Sequence, residues 1–141
     1  MAAIPQKFTD LLTDQKKAFA DLATVMPDGS PQVTPVWFDF KDGNIRLNSA
    51  RGRTKDRNIR ANPRVALAIL DPTNPYRHIQ IRGRVKRITE EGAAHHIDLL
   101  AKKYLGQDKY PWNKPGDVRV LYEVEPLSLS TMGLAGYSLP C

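Results

Sequence analysis

Between Tyr76 and Ile88 the apolar positions Ile79, Ile81, Gly83 and Val85 alternate with Gln80, Arg82, Arg84 and Lys86. A repeat of two belongs to a strand with one face in a core and the other in water, since a helix would scatter the same residues around its axis. The chain must therefore build a sheet around this segment. Gly83, in the middle of it, predicts a bulge or a sharp bend of the kind that curls a sheet into a barrel.

Turn chemistry places the other strands. Pro27-Asp28-Gly29-Ser30 separates a strand over Ala18–Val25 from one over Gln32–Phe40, and Lys41-Asp42-Gly43-Asn44 is a second tight turn, leading into a strand that ends near Asn48. Pro35 cannot donate to a ladder, so its strand belongs at an edge or a bulge. Val65–Leu70 reads as a buried strand, and Val118–Val124 and Leu127–Thr131 read as two final ones. Helices are expected over Pro5–Leu12, over Thr54–Ala61, and from Thr89-Glu90-Glu91 to a cap at Gly106, with Ala93, Ile97, Leu100, Ala101 and Tyr104 as the apolar stripe of the last. Gln107–Asp117 is an irregular loop holding Tyr110 and Trp112. The sum is a mainly β, six- or seven-stranded antiparallel barrel with helices at its ends.

At 141 residues the chain fits a single domain, residues 1–141. No apolar run is long enough to span a bilayer as a helix, and the first residues lack the apolar core of a secretory signal, so a cytoplasmic location is expected, with no membrane partner. The single cysteine, Cys141, is the last residue; it offers neither an internal disulfide nor a thiol embedded in a site.

Charge is concentrated in one place. The stretch Arg46–Arg64 holds seven of the 21 Lys/Arg (Arg46, Arg51, Arg53, Lys55, Arg57, Arg60 and Arg64) and one of the 15 Asp/Glu (Asp56), so the remaining 14 of each sign cancel. A local positive field of this kind points to an anionic partner. Asn62-Pro63 ends the helix over Thr54–Ala61, Thr54 or Ser49 can cap its start, and Gly52 permits a tight turn. Arg53 and Lys55 then sit at the helix N-terminus. The dipole disfavours cations there unless an anion is shared with the free amides.

Catalytic constellations are missing. There is no dinucleotide or phosphate-loop glycine fingerprint and no Gly-x-Ser-x-Gly turn. His95 and His96 point about 100° apart on a helix, have no cysteine to join them, and are expected at the surface or boundary as non-ligands. No side chain stands out as catalytic. An enzyme built this way would rely on a bound organic cofactor, and an anionic one accounts for the basic stretch.

The order and spacing of several segments carry a resemblance: Asp28-Gly29-Ser30-Pro31-Gln32-Val33-Thr34-Pro35-Val36-Trp37-Phe38, Asn48-Ser49-Ala50-Arg51-Gly52-Arg53-Thr54-Lys55-Asp56-Arg57-Asn58, Asn62-Pro63-Arg64-Val65-Ala66-Leu67 and Ile81-Arg82-Gly83-Arg84-Val85. With these the chain resembles the pyridoxamine 5′-phosphate oxidase-like split β-barrel (FMN-binding-like) flavoproteins, and within them the branch using the deazaflavin coenzyme F420. The resemblance implies phosphate contacts from Arg53, Thr54 and Lys55, with Asn48, Ser49, Arg51 and Arg57 nearby. It implies that Gln32, Thr34, Pro35 and Val36 line the ring. It further implies a homodimer with the cofactor at the subunit interface, reached from the partner chain by Tyr76, His78 or Trp112. The oxidases proper carry Gln-x-Arg-x-x-Gly where this chain has His78-Ile79-Gln80-Ile81-Arg82-Gly83, which argues against pyridoxamine phosphate as substrate.

Seven cations exceed what one phosphate uses. Coenzyme F420 adds an acidic tail that Arg57, Arg60 and Arg64 could serve, so F420 is favoured over FMN. The activity implied is hydride transfer to a small conjugated substrate. The rival class, a nucleic-acid-binding small barrel, usually interleaves stacking aromatics with its basic residues, and Arg46–Arg64 contains none. A cofactor carrier without turnover is a third reading.

Overall fold

The computed structural model describes residues 2–133; Cys141 lies outside the described residues. Its strands are β1 (Ala20–Val25), β2 (Pro31–Val36), β3 (Asp39–Lys41), β4 (Asn44–Ala50), β5 (Arg64–Asp71), β6 (Asn74–Thr89) and β7 (Arg119–Met132); its helices are α1 (Thr54–Ala61), α2 (Ala93–Leu105) and an opening 3-10 helix (Gln6–Leu12). The seven strands form one antiparallel sheet in the order β2-β1-β5-β6-β7-β4-β3. β2 and β3 are free edges, so the barrel is split and does not close. Pro35 lies on β2, where an edge strand tolerates its missing N–H.

One core fills the interior. Leu22, Ile45, Leu67, Ile69, Ile79, Ile81, Val120 and Val124 reach it from the strands, Phe8 and Leu11 from the opening helix, and Ile59 from α1. Alternation along β6 puts Ile79, Ile81, Gly83 and Val85 inside and Gln80, Arg82, Arg84 and Lys86 outside, as the period of two requires.

Three elements differ from expectation. The stretch Gln32–Phe40 is not one strand: the chain leaves β2 at one edge of the sheet and re-enters as β3 at the other. Phe38, fully buried, anchors this crossing, with its carbonyl accepting from Lys103 Nζ at 2.7 Å and its N–H donating to Tyr104 Oη at 3.3 Å. Tyr104 Oη in turn donates to Ala18 O at 2.6 Å, so α2 fastens the open side.

The two expected C-terminal strands are one, β7. Pro126 lies beyond the last residue paired with β4, opposite Gly83 where the β6 ladder shifts register, so no neighbour requires its missing N–H. Helix α2 starts at Ala93 and not at Thr89: Thr89 Oγ1 accepts the Glu91 N–H at 3.1 Å, and Gly92 (φ +77°) turns the chain before the helix begins. Its C-terminal cap is Gly106, as expected.

Gly83 allows β7 to approach closely. A Cβ there would lie 2.8 Å from both the Glu125 carbonyl oxygen and Val124 Cγ1. Gly83→Ala is therefore expected to destabilise the fold by about 1–3 kcal/mol. Urea unfolding checks this, and an unchanged midpoint would show that the bulge is loosely packed.

Candidate functional site

The basic stretch folds as β4, a turn at Arg51–Arg53, and α1. Helix α1 runs over Thr54–Ala61 as Asn62-Pro63 dictates, but neither Thr54 nor Ser49 caps it. The turn is held instead by Asp56, whose Oδ2 accepts the Gly52 N–H at 2.9 Å. Asp56 is 1% exposed, and its Oδ1 also accepts from Tyr122 Oη at 2.5 Å and from Arg60 Nε at 3.0 Å. Burial raises the Asp56 carboxyl, but the Gly52 amide, Tyr122 and Arg60 together hold it below its ordinary value. A carboxylate in the first turn also suits the helix dipole.

Folding neutralises several of the seven cations. Arg46 forms a bidentate pair with Asp39 (2.8 and 2.6 Å), Arg51 pairs with Glu90, and Arg60 with Asp56. Arg53 has a looser contact with Asp117 at 3.6 Å, and Arg57 donates to the Gly52 carbonyl at 2.6 Å. Lys55 and Arg64 have no carboxylate partner among the described residues. Lys55 is half-buried; burial, then the neighbouring charge of Arg53, holds its ammonium below the ordinary value. A desolvated ammonium beside another cation at a helix N-terminus is a place prepared for an anion.

The other expected residues divide into two groups. Gln32, Thr34, Pro35 and Val36 lie along the edge strand β2, linked to α1 by a relay in which Asn58 Nδ2 donates to Thr24 Oγ1 (3.0 Å) and Thr24 to Gln32 Oε1 (3.4 Å). Ser49 is buried on β4. Tyr76 and His78 sit at the far end of the β5–β6 hairpin, where His78 pairs with Leu70 while Arg64, next to α1, pairs with Arg84. Six strand residues separate these ends, about 20 Å, so one chain does not bring Tyr76 and His78 to the α1 turn, although β2 reaches towards them, Val33 and His78 lining the same groove.

Asn48 belongs to a buried network. It donates to the Ala93 carbonyl (2.9 Å) and to His96 Nδ1 (3.1 Å), while its Oδ1 accepts from Arg119 Nε (2.9 Å). His96 Nε2 then donates to Asp39 Oδ1 at 3.0 Å. The expectation of a surface or boundary His96 is thus corrected: it is 1% exposed, because Asn48 and Asp39 satisfy both ring nitrogens. Burial raises the Asp39 carboxyl, but His96 and Arg46 more than offset this and hold it at about 2. Among the described residues no cluster suits a metal ion.

Beside this network stands an aromatic wall. Trp37 stacks on Tyr104 (5.2 Å between centroids, 11° between planes) and meets Tyr110 at 5.9 Å and Trp112 at 6.0 Å. Trp112, 57% exposed, thus packs on its own chain's Trp37 and still presents a face to solvent. Tyr110 carries the wall to the basic end, its ring 5.1 Å from the Arg119 guanidinium carbon. Sequence reasoning missed Asp56, Asp39 and Arg119. For Asp56 a signal existed, since it is the one acid within the basic stretch.

Comparisons with known proteins agree with this fold. The sequence model of the pyridoxamine 5′-phosphate oxidase family matches residues 4–132. Among solved structures, an F420 reductase is 36% identical, covering 90% of this chain and 98% of that one, with a TM-score of 0.78. A conserved hypothetical protein from Mycobacterium tuberculosis (22% identity, 92% and 85% covered, TM-score 0.71) and General Stress Protein 26 from Bacillus anthracis (20%, 89% and 91%, 0.64) share the fold. No curated protein matches the sequence. No helix among the described residues is long and apolar enough to cross a membrane. With all but a few residues at each end matched, a split seven-stranded barrel and a cationic turn at α1, the chain belongs to the pyridoxamine 5′-phosphate oxidase family, as an oxidoreductase of that fold.

Proposed function

We propose that the protein is a coenzyme F420-dependent oxidoreductase that works as a homodimer on a small conjugated substrate. The observation that carries the anionic cofactor is Lys55, half-buried beside Arg53 at the start of α1 with no carboxylate partner among the described residues. The preference for the deazaflavin rests on the similarity to the F420 reductase. The cation count gives less support than the sequence alone offered, because Arg46, Arg51 and Arg60 are internally paired. Arg57 and Arg64 remain for an acidic tail.

When bound, such a group supplies hydride transfer. The chain's own residues bind, orient and exclude water: Arg53, Thr54, Lys55 and the first α1 amides hold the phosphate, and β2 from Gln32 to Val36 flanks the ring. Trp37, Tyr110 and Trp112 shape the substrate side. The outer face of β1, β5 and β6 bears two shallow grooves of about 480 Å³ each, floored by small side chains such as Ala23, Ala66 and Ala68. A second copy seated on this face would bring the partner subunit's Tyr76 and His78 towards the ring.

The test is a fluorescence titration of the purified protein with F420 and FMN separately, together with sedimentation to read its mass. Saturable F420 binding by a dimer is expected. Tight FMN binding with none of F420 reassigns the cofactor, and salt-sensitive DNA or RNA retention with neither overturns the reading. Lys55→Ala is expected to cost one charge-assisted contact, about ten- to a hundredfold in affinity. Unchanged affinity in that variant would remove Lys55 from the phosphate site.

A further inference from the structure

We propose that Arg119 is a third cationic ligand for the cofactor's phosphate, closing on it from the sheet while Arg53, Lys55 and the first amides of α1 hold it from the helix. The inference rests on the anionic-cofactor reading above. Arg119 opens β7 directly opposite Ala50, and the preceding Val118 carbonyl accepts the Arg51 N–H at 2.8 Å, so its backbone borders the Arg51–Arg53 turn. The residue is 8% exposed. Among the described residues its guanidinium makes one hydrogen bond, from Nε to Asn48 Oδ1, and Nη1 is buried without any partner.

The other sheltered arginines of this protein are treated differently. Arg46 is paired with Asp39, and Arg77 with Asp10 and Asp71, each through charge-assisted hydrogen bonds of 3.0 Å or less. Arg119 has no carboxylate within ion-pair distance among the described residues. A neutral amide and the face of Tyr110 do not compensate a desolvated charge fully. Burial makes its protonated state less favourable than that of an exposed arginine; Tyr110 and Asp117 offset this only in part, and the nearby charge of Arg53 adds to it. Lys55 feels Arg53 in the same way.

Lys55 and Arg119 therefore each stand in the field of Arg53, and among the described residues only Asp117 touches any of the three, at 3.6 Å from Arg53. An arginine kept for structure alone would lower its energy by acquiring an acid, as Arg46 and Arg77 have. One phosphate bridging Arg53 and Arg119 gives the orphaned Nη1 an acceptor and offsets the repulsion that Arg53 exerts on its neighbours.

The experiment titrates F420 and its phosphate-free deazaflavin chromophore into wild type, Arg119→Gln and Arg119→Lys, and melts each protein with and without inorganic phosphate. Arg119→Gln is expected to weaken F420 binding by about ten- to a hundredfold while changing affinity for the bare chromophore less than about twofold. Arg119→Lys should recover part of the loss. Without ligand, Arg119→Gln should melt no lower than wild type, since it removes a repelled charge, and phosphate should raise the Tm of wild type more than that of the variant. Equal weakening of both ligands, or a lowered ligand-free Tm with F420 affinity intact, would show a merely structural arginine and overturn the proposal. Should wild type bind neither F420 nor FMN, the proposed function fails by itself. The phosphate melts then still decide Arg119: equal shifts in wild type and Arg119→Gln reject it, and a shift confined to wild type supports it.

Discussion

Asp39→Ala is expected to lower the unfolding free energy by about 3–5 kcal/mol, the loss typical when one member of a buried ion pair is removed. Asp39 accepts from Arg46 at 2.8 and 2.6 Å and from His96 Nε2 at 3.0 Å, and it lies on the short edge strand that begins after the crossing. Without it, His96 at 1% exposure keeps a buried N–H with no acceptor, and Arg46 keeps a sheltered charge with no partner. The edge pairing of β3 with β4, Asp39 against Arg46, loses its side-chain support too.

The same residue predicts a pH dependence. Its folded pKa is about 2 against an ordinary 3.8, so the unfolded chain binds the proton more readily. The stabilisation is complete above about pH 4 and is lost as pH falls towards 2, amounting to about 2 kcal/mol at about 1.4 kcal/mol per pH unit. Urea unfolding of wild type and Asp39→Ala between these limits tests both parts. Wild type should lose its advantage on acidification, and parallel acid limbs would show that Asp39 is not the group responsible.

Asp56→Ala is expected to lose about 3 kcal/mol of stability and, with it, cofactor binding by more than about tenfold. Asp56 gathers three donors: the Gly52 N–H within the Arg51–Arg53 turn, the Tyr122 hydroxyl from the core strand β7, and Arg60 one helical turn on. Burial and the adjacent carboxylate push the Tyr122 phenol well up, so it remains a protonated donor at any working pH. Removing the carboxylate leaves a buried hydroxyl and a turn amide unpaired, and it frees the Arg51–Arg53 turn to move. Tyr122→Phe separates the two effects, because it removes one hydrogen bond, about 1 kcal/mol, and leaves the Gly52 contact in place. Melting curves and F420 titrations of both variants provide the check. Full affinity in folded Asp56→Ala would show that the sheet alone sets the turn.

Much of the fold was legible because its signals are local. The alternation over Tyr76–Ile88 marks β6 and Asn62-Pro63 stops α1. Asp42 and Gly43, both at positive φ, close the hairpin that the Lys41–Asn44 sequence announces. The break between β2 and β3 was not legible, since Val36, Trp37 and Phe38 all favour extended backbone. What separates the strands is the burial of Phe38 beneath α2, with Lys103 and Tyr104 bonded to its backbone from more than sixty residues away. In β7, Pro126 reads as an interruption unless the partner strands are known. Only the bulge at Gly83 and the early end of β4 make it harmless.

By itself, the sequence determined the mainly β class, most of the strands and helices, and that one stretch, Arg46–Arg64, concentrates the positive charge, because these follow from residue type and spacing along the chain. Tertiary structure decided which of those charges remain free to meet an anion. Arg51 is neutralised by Glu90, Lys55 is left half-buried with no carboxylate partner among the described residues, and register with Ala50 sets the backbone of Arg119 beside the Arg51–Arg53 turn. Electrostatic pairing depends on distance through space, and residues dozens of positions apart become neighbours only when the sheet forms.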